Sequence, residues 1–348
     1  MKEIQIGSFN IGPGLPVWII AELSANHHQS LEKALELVHV AAQAGANAVK
    51  LQTYTPDTMT LNCPQDWFQI QSGTWKGYQL YQLYQEAYTP WEWHKTIIKE
   101  ANDLGMVCFS SPFDASAVDF LESLNVPAYK IASFELVDLP LIRKIAQTGK
   151  AMIMSTGMGT LAEIEEAVKT AREAGCKELI LLKCTSAYPA EPEQMNLVTL
   201  PHLAQAFGCF SGLSDHTLSP IVPALAVSQG ACVIEKHLIF DRAEGGPDSQ
   251  FSLEPDEFAE MVSAVRLAEK ALGQVVYAQD PSEQKNKLFR RSVFITKDLS
   301  KGSILSPENI AVLRPSLGLH PRYFESVQGK KIKQDVVCGT PLSWDLLD

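Results

Sequence analysis

VWIIAELSANHHQSLEKALELVHVAAQAGANAVKLQ, residues 17–52, decides the fold. Its first residues, VWIIAEL (17–23), form an unbroken apolar run with one carboxylate near the end. A strand with one wet face would alternate; a continuous run predicts a strand covered on both faces. Ser30 then stands as an N-cap, and SLEKALELVHVAAQAG keeps helical spacing as far as Gly45. NAVKLQ (47–52) is a second strand of the first kind. Strand, helix, strand in so short a span is a parallel crossover unit.

The rhythm continues along the chain. An aromatic-rich insertion at 54–88 holds Trp67, Trp75, Tyr78, Tyr81 and Tyr84, and is expected to cover a pocket mouth or to meet a neighbouring subunit. Pro90 then starts PWEWHKTIIKEANDLG. Six further strands read as MVCFSS (106–111), AYKIAS (128–133), AMIMST (151–156), ELILLKC (178–184), CFSGLSD (209–215) and CVIEKH (232–237). Helix-period segments begin near Asp114, Leu139, Leu161, Met195 and Pro220, and PDEFAEMVSAVRLAEKALG closes the series. Eight strand–helix units in this length predict a (β/α)8 TIM barrel of class α/β. A doubly wound sheet would carry a glycine-rich fingerprint after its first strand, and AELSANHHQS is not one. The barrel is assigned to residues 1–275 and a polar linker to 276–288. Residues 289–348, with the short strands and turns of RRSVFITKDLSKGSILSPENIAVLRP, are a separate small domain.

Bulk properties exclude several classes. The 348 residues carry a formal net charge of -11, without the clustered basic residues of a nucleic-acid binder. Seven cysteines include no C-x-x-C pair, which argues against a zinc ribbon or a thioredoxin-type site. No apolar run reaches the length of a membrane helix. The N-terminal MKEIQIGSFNIGPG lacks the apolar core of a signal peptide. A cytoplasmic enzyme without membrane or nucleic-acid partners is the expectation.

In such barrels chemistry sits at the C-terminal ends of the strands. Those ends are polar throughout: Glu22; Lys50 and Gln52; Ser110 and Ser111; Lys130, Ser133 and Glu135; Ser155; Lys183, Ser186 and Tyr188; Ser214 and His216; Glu235 and His237. Lys50 lies inside an apolar run, where an unpaired ammonium is costly. Lys130 repeats the arrangement. Each serine alone is an ordinary cap or turn residue, but beside two lysines they suggest an anion cradle without a nucleotide loop. His216 and His237 end adjacent strands and can share one metal, with Asp215 and Glu235 beside them as supporting partners. Asp248, in the loop GGPDSQ, can reach the same mouth.

IIAELSANH, AVKLQT, SSPFD, YKIASFE, MSTGM, KCTSAYP, GLSDHT, EKH and GGPDS, in that order, resemble the sialic-acid synthase family. The C-terminal RRSVFITKDLSKG and LRP resemble that family's antifreeze-like (SAF) domain. The resemblance implies condensation of phosphoenolpyruvate with an N-acetylated amino sugar. It implies Mn2+ or Mg2+ on His216 and His237, with Glu22 as the further catalytic group. Phosphoenolpyruvate would be held by Lys50, Gln52, Ser111, Lys130, Ser133, Ser155, Ser186 and Ser214. The sugar would be held by Glu135, Tyr188, Asp248 and Arg314. By the resemblance, Arg314 enters the barrel mouth of the other subunit of a domain-swapped homodimer. Within the family, QTYTPDTMTL, EAYTPWEWH, IASFELVDLPLI and CTSAYPA are most similar to the pseudaminic acid synthase branch. Members that make sialic acid carry SGE where this chain has Ser133-Phe134-Glu135, and Asn in place of Ser186. Both departures favour a less polar 6-deoxy sugar, 2,4-diacetamido-2,4,6-trideoxy-L-altrose, over N-acetylmannosamine. N-acetylneuraminic or legionaminic acid synthesis is the alternative.

Overall fold

Two short strands precede the first crossover unit, β1 (Ile4–Ile6) and β2 (Phe9–Ile11), paired antiparallel around a turn at Gly7. The computed structural model describes residues 3–277 and 280–348; residues 278 and 279 of the expected linker lie outside the described residues. Residues 17–52 then form β3 (Trp18–Glu22), a helix at Leu31–Gln43 and β4 (Ala48–Thr53). Ser30 caps that helix by accepting from the Lys33 amide at 3.3 Å. Its buried face, Ala34, Leu37, Val38 and Ala41, has the spacing that turns one stripe of a helix to a core.

The remaining barrel strands are β5 (Val107–Pro112), β6 (Ala128–Ile131), β7 (Ala151–Ser155), β8 (Leu179–Cys184), β9 (Phe210–Asp215) and β10 (Val233–His237). β3 to β10 pair in parallel with their neighbours, and β10 pairs with β3 to close the barrel. Every residue of β3, β5, β6, β7, β9 and β10 is buried, which explains why these strands read as continuous apolar runs. The β1–β2 hairpin was not anticipated. Its Ile4, Ile6 and Ile11 pack with Trp18, Phe109 and Ile153, the inward residues at the starts of the strands. It therefore plugs the end of the barrel away from the polar strand termini.

Neighbouring residues of a strand face opposite sides. On β9 and β10 this separates Ser214, Glu235 and the two histidines from Asp215 and Lys236. Lys236 donates to Asp215 at 2.6 Å and also to the Thr217 carbonyl, and both side chains are fully buried. Asp215 is thus held on the outer face of the barrel rather than beside His216. Removing one partner of such a pair strands a buried charge, at a cost of about 3–5 kcal/mol. Lys236→Met should lower unfolding free energy by that amount in urea titration. A loss under about 1 kcal/mol would mean the pair does not anchor β9 to β10.

The chain divides into two compact units, residues 1–273 and 274–348. In the second, β11 (Ser292–Ile295) and β12 (Ile310–Leu313) pair antiparallel. Val293, Ile295, Leu305, Ile310, Val327 and Leu342 form its core. Among the described residues no helix is long and apolar enough to cross a membrane.

Candidate active site

The C-terminal ends of the strands open on one cavity of about 400 Å³. Lys50 of β4 and Lys130 of β6 reach into it, and both are almost wholly buried. Glu22 of β3 pairs directly with Lys50. Glu235 of β10 lies 3.3 Å from Lys130 and 3.8 Å from Lys50, and its Oε1 accepts from Ser214 at 3.0 Å. Lys50 also donates to Ser111 at 3.2 Å. Burial opposes charge on every member of this group. On Glu235 the two lysines outweigh burial and hold the carboxyl below its usual range. On Glu22 burial wins over Lys50, so its carboxyl binds a proton more tightly than usual.

Several buried polar atoms here have no partner: Ser155 Oγ, Glu235 Oε2, Glu135 Oε2 and His237 Nδ1. Leaving such atoms unpaired costs stability, so their convergence on one cavity marks groups kept for a ligand.

His216 and His237 face each other with ring centroids 5.4 Å apart. His216 Nδ1 donates to the Thr185 carbonyl at 3.0 Å, which leaves Nε2 with its lone pair exposed. Burial disfavours charge on His216, but the Cys184 thiol 3.9 Å away and the Thr185 carbonyl more than offset this and raise its pKa. Burial, with the charge of His216 nearby, holds His237 well below the usual imidazole range and so neutral. A neutral imidazole with an unpartnered buried nitrogen and a neighbour oriented by a carbonyl suit a divalent metal. Among the described residues no group of three or more His, Cys, Asp or Glu is arranged to hold a metal alone. The two histidines therefore need oxygen from substrate or water to complete a shell.

Asp248 is placed at this end by a hydrogen bond from Ser24, and lies 4.0 Å from His237. The Tyr188 ring lies tilted against His216 with centroids 4.6 Å apart, and Phe251 packs against both histidines and Tyr188. Gly157, in the MSTGM turn, has no room for a side chain: a Cβ there would press on the hydroxyls of Ser133 and Ser186. Both hydroxyls therefore lie close against the Gly157 backbone.

The insertion at 54–88 supplies the rest of the cavity. Its helix Leu80–Ala87 turns Leu80, Leu83, Tyr84 and Ala87 to the cavity as one face. Trp75 donates to the Pro247 carbonyl at 2.6 Å and Thr74 donates to the Tyr188 carbonyl. The insertion is thereby pinned to the loops after β8 and β10, across the barrel mouth.

Of the expected site residues, Glu22, Lys50, Gln52, Lys130, Ser133, Glu135, Ser155, Tyr188, Ser214, His216, His237 and Asp248 line one cavity. Ser111 and Ser186 stand outside that lining, Ser111 held by Lys50 and Ser186 against Gly157. Lys183 turns away, donating to the Cys184 carbonyl at 2.7 Å and to Thr185. Arg314 is exposed in the second unit, just after β12. Sequence reasoning did not single out Ser24, Cys184 or Phe251. The histidines left without a metal role include His27 and His94, both buried against threonine hydroxyls.

Burial raises the Glu135 carboxyl from 4.5 to about 7. Its folded pKa thus exceeds its unfolded one, so the folded state binds more protons between these values and stability falls as pH rises through them. Glu135→Gln should therefore be more stable than the parent at pH 8, by at most about 3 kcal/mol, with the gap shrinking toward pH 5. Paired thermal melts check this; a gap independent of pH would remove the buried carboxylate as its cause.

The family model NeuB family matches residues 37–277, and the SAF domain model matches residues 290–348. The pseudaminic acid synthase of Campylobacter jejuni subsp. jejuni serotype O:23/36 (strain 81-176) is 46% identical over 339 residues, 97% of this chain and 98% of the relative. That of Helicobacter pylori is 46% identical over 331 residues, 95% of this chain and 97% of the relative. Among solved structures, spore coat polysaccharide biosynthesis protein SpsE of Bacillus subtilis superposes with a TM-score of 0.68 at 34% identity, covering 99% of each chain. The N-acetylneuraminic acid synthetase of Leptospira borgpetersenii serovar Hardjo-bovis, in complex with citrate, superposes with a TM-score of 0.72 at 31% identity, covering 82% of this chain and 94% of that one. The barrel, its polar strand ends and the small second unit thus have one explanation: the chain belongs to the NeuB family and carries a SAF domain.

Proposed function

We propose that the chain condenses phosphoenolpyruvate with 2,4-diacetamido-2,4,6-trideoxy-L-altrose to give pseudaminic acid and phosphate. The observation that carries this reading is the pair of buried lysines, Lys50 and Lys130, at a cavity floor with unpartnered polar atoms around them. Two relatives at 46% identity named for that product support the choice of sugar.

Lys50 and Lys130 meet the phosphate and carboxylate of phosphoenolpyruvate, with Ser155, Ser214 and Ser133 donating beside them. Ser111 steadies Lys50, and Gln52 lies at the phosphate end. Because the lysines are fixed before substrate arrives, little reorganisation accompanies the developing charge. The enol C3 forms a bond to the aldehyde C1 of the open-chain sugar. Water adds its oxygen to C2 and gives a proton to Glu22, whose raised proton affinity suits a base at neutral pH. The C2–O bond to phosphate then breaks; phosphate leaves with the bridging oxygen and the proton of the added hydroxyl, C2 becomes the keto carbon, and the proton taken from water is returned to the aldehyde oxygen, which becomes a hydroxyl. Mn2+ or Mg2+ on His216 and His237 would supply Lewis-acid polarisation of the aldehyde oxygen. Glu135, Tyr188 and Asp248 hold the sugar.

Phosphoenolpyruvate labelled with 18O at the bridging position tests the reaction class. Label in the released phosphate fits C–O cleavage; label retained in the sugar acid would contradict it.

The site is completed across a homodimer by Arg314, which contacts the sugar's N-acyl group from the partner. The support is the resemblance of LRP to the family's SAF segment. An Arg314→Ala subunit mixed with a Lys130→Ala subunit should recover up to about a quarter of parental activity, the share expected if one of two composite sites in half the dimers is intact. Absence of recovery in isolated heterodimers would contradict the shared site.

A further inference from the structure

The cavity has two chemically different parts, one charged and one mostly apolar. Every charged group comes from the barrel strands and the loops that follow them. The insertion contributes something else. Met59, Ile70, Leu80 and Leu83 line the cavity, and Phe113, from the end of β5, joins them. None of these five side chains can donate a hydrogen bond, and only the Met59 thioether accepts one, weakly. Phe113 packs edge-on against Tyr54 at 5.2 Å, and Tyr54 against Tyr84 at 5.7 Å, on the same helix face as Leu80 and Leu83, so this side of the cavity is mostly carbon with two phenol hydroxyls. Met59, Ile70, Leu80 and Phe113 are only partly buried by the protein, so they retain surface for a ligand. The wall is held in place by the hydrogen bonds of Trp75 and Thr74 to the loops after β10 and β8.

Substrate orientation follows from the reaction. The aldehyde C1 must lie at the lysine–histidine floor, where phosphoenolpyruvate is held. In an open-chain hexose C6 is the carbon farthest from C1, so it reaches toward the insertion. We infer that Met59, Ile70, Leu80, Leu83 and Phe113 form the subsite that receives C6 and selects a methyl group there over a hydroxymethyl group. This rests on the proposed condensation and names its specificity determinant. A methyl at C6 buries apolar surface against this wall. A hydroxyl in the same place gives up water and meets carbon on most sides, with only the Tyr54 and Tyr84 phenols as partners. An apolar pocket rejects an added hydroxyl by about 10- to 100-fold, no more, because the group can turn or keep a water.

The experiment measures kcat/KM for two sugars of one configuration, 2,4-diacetamido-2,4,6-trideoxy-L-altrose and its 6-hydroxy counterpart. The parent enzyme should prefer the 6-deoxy sugar by about 10- to 100-fold. Ile70→Ser with Leu80→Ser should bring the ratio to within about threefold, chiefly by raising KM for the 6-deoxy sugar, whereas Leu80→Met should keep the preference. Turnover of both sugars at equal efficiency by the parent would overturn the inference and leave the condensation standing. A preference unchanged in the double serine variant would also overturn it. No turnover of the altrose sugar would remove the proposed substrate, and the inference with it.

Discussion

Lys130→Ala is expected to lower kcat/KM for phosphoenolpyruvate by about 10²- to 10³-fold while the protein stays folded. Lys130 is fully buried, and burial pulls its pKa down, opposed by Glu235. A buried ammonium of this kind is kept charged by few neighbours, so an incoming anion gains most of its field. The fold should survive because Glu235 keeps Ser214 at 3.0 Å and Lys50 at 3.8 Å when Lys130 is gone. Lys50→Ala is a poorer test, since it would leave Glu22 buried without its cation. Steady-state kinetics with varied phosphoenolpyruvate, alongside urea titration, separate the two effects. Unchanged kinetics would take Lys130 out of the anion site; loss of activity matched by loss of folding would make its role structural.

Replacing both His216 and His237 by alanine should abolish Mn2+ binding and lower turnover by about 10³-fold, the upper range for removing one charge-stabilising group. Mn2+ binding followed by electron paramagnetic resonance gives a readout that does not depend on activity. Mn2+ binding by His237→Ala, which leaves His216 as the ligand, should weaken more steeply as pH falls than binding by His216→Ala, which leaves a ligand already neutral. The direction follows from the two environments: His237 is neutral throughout the working range, whereas His216 holds its proton more tightly. Retained Mn2+ binding in the double variant would refute the two-histidine site.

The strands were readable because burial on both faces writes them as unbroken apolar runs, and Lys50, Lys130 and Glu235 stood out as charges inside those runs. Which way each residue faces was less readable. Asp215 adjoins His216 in sequence, yet strand alternation sends it to Lys236 on the outer face of the barrel. Contacts between distant segments left no trace at all: Ser24 and Asp248 are 224 positions apart, and Phe251 sits in a loop turn whose sequence has no period. The three-residue strands of the β1–β2 hairpin were too short to show a pattern. The insertion was legible as aromatic-rich but not as an apolar wall, because Met59 of a short helix, Ile70 of a loop and Phe113 after β5 are brought to one cavity only by the folded chain.

The most direct test of the account is phosphate release from phosphoenolpyruvate in the presence of Mn2+, with 2,4-diacetamido-2,4,6-trideoxy-L-altrose and N-acetylmannosamine supplied in parallel. The account predicts rapid release with the altrose sugar and little with N-acetylmannosamine. Release with N-acetylmannosamine alone would keep the chemistry at Lys50 and Lys130 but contradict the choice of sugar and the reading of Phe134 and Ser186.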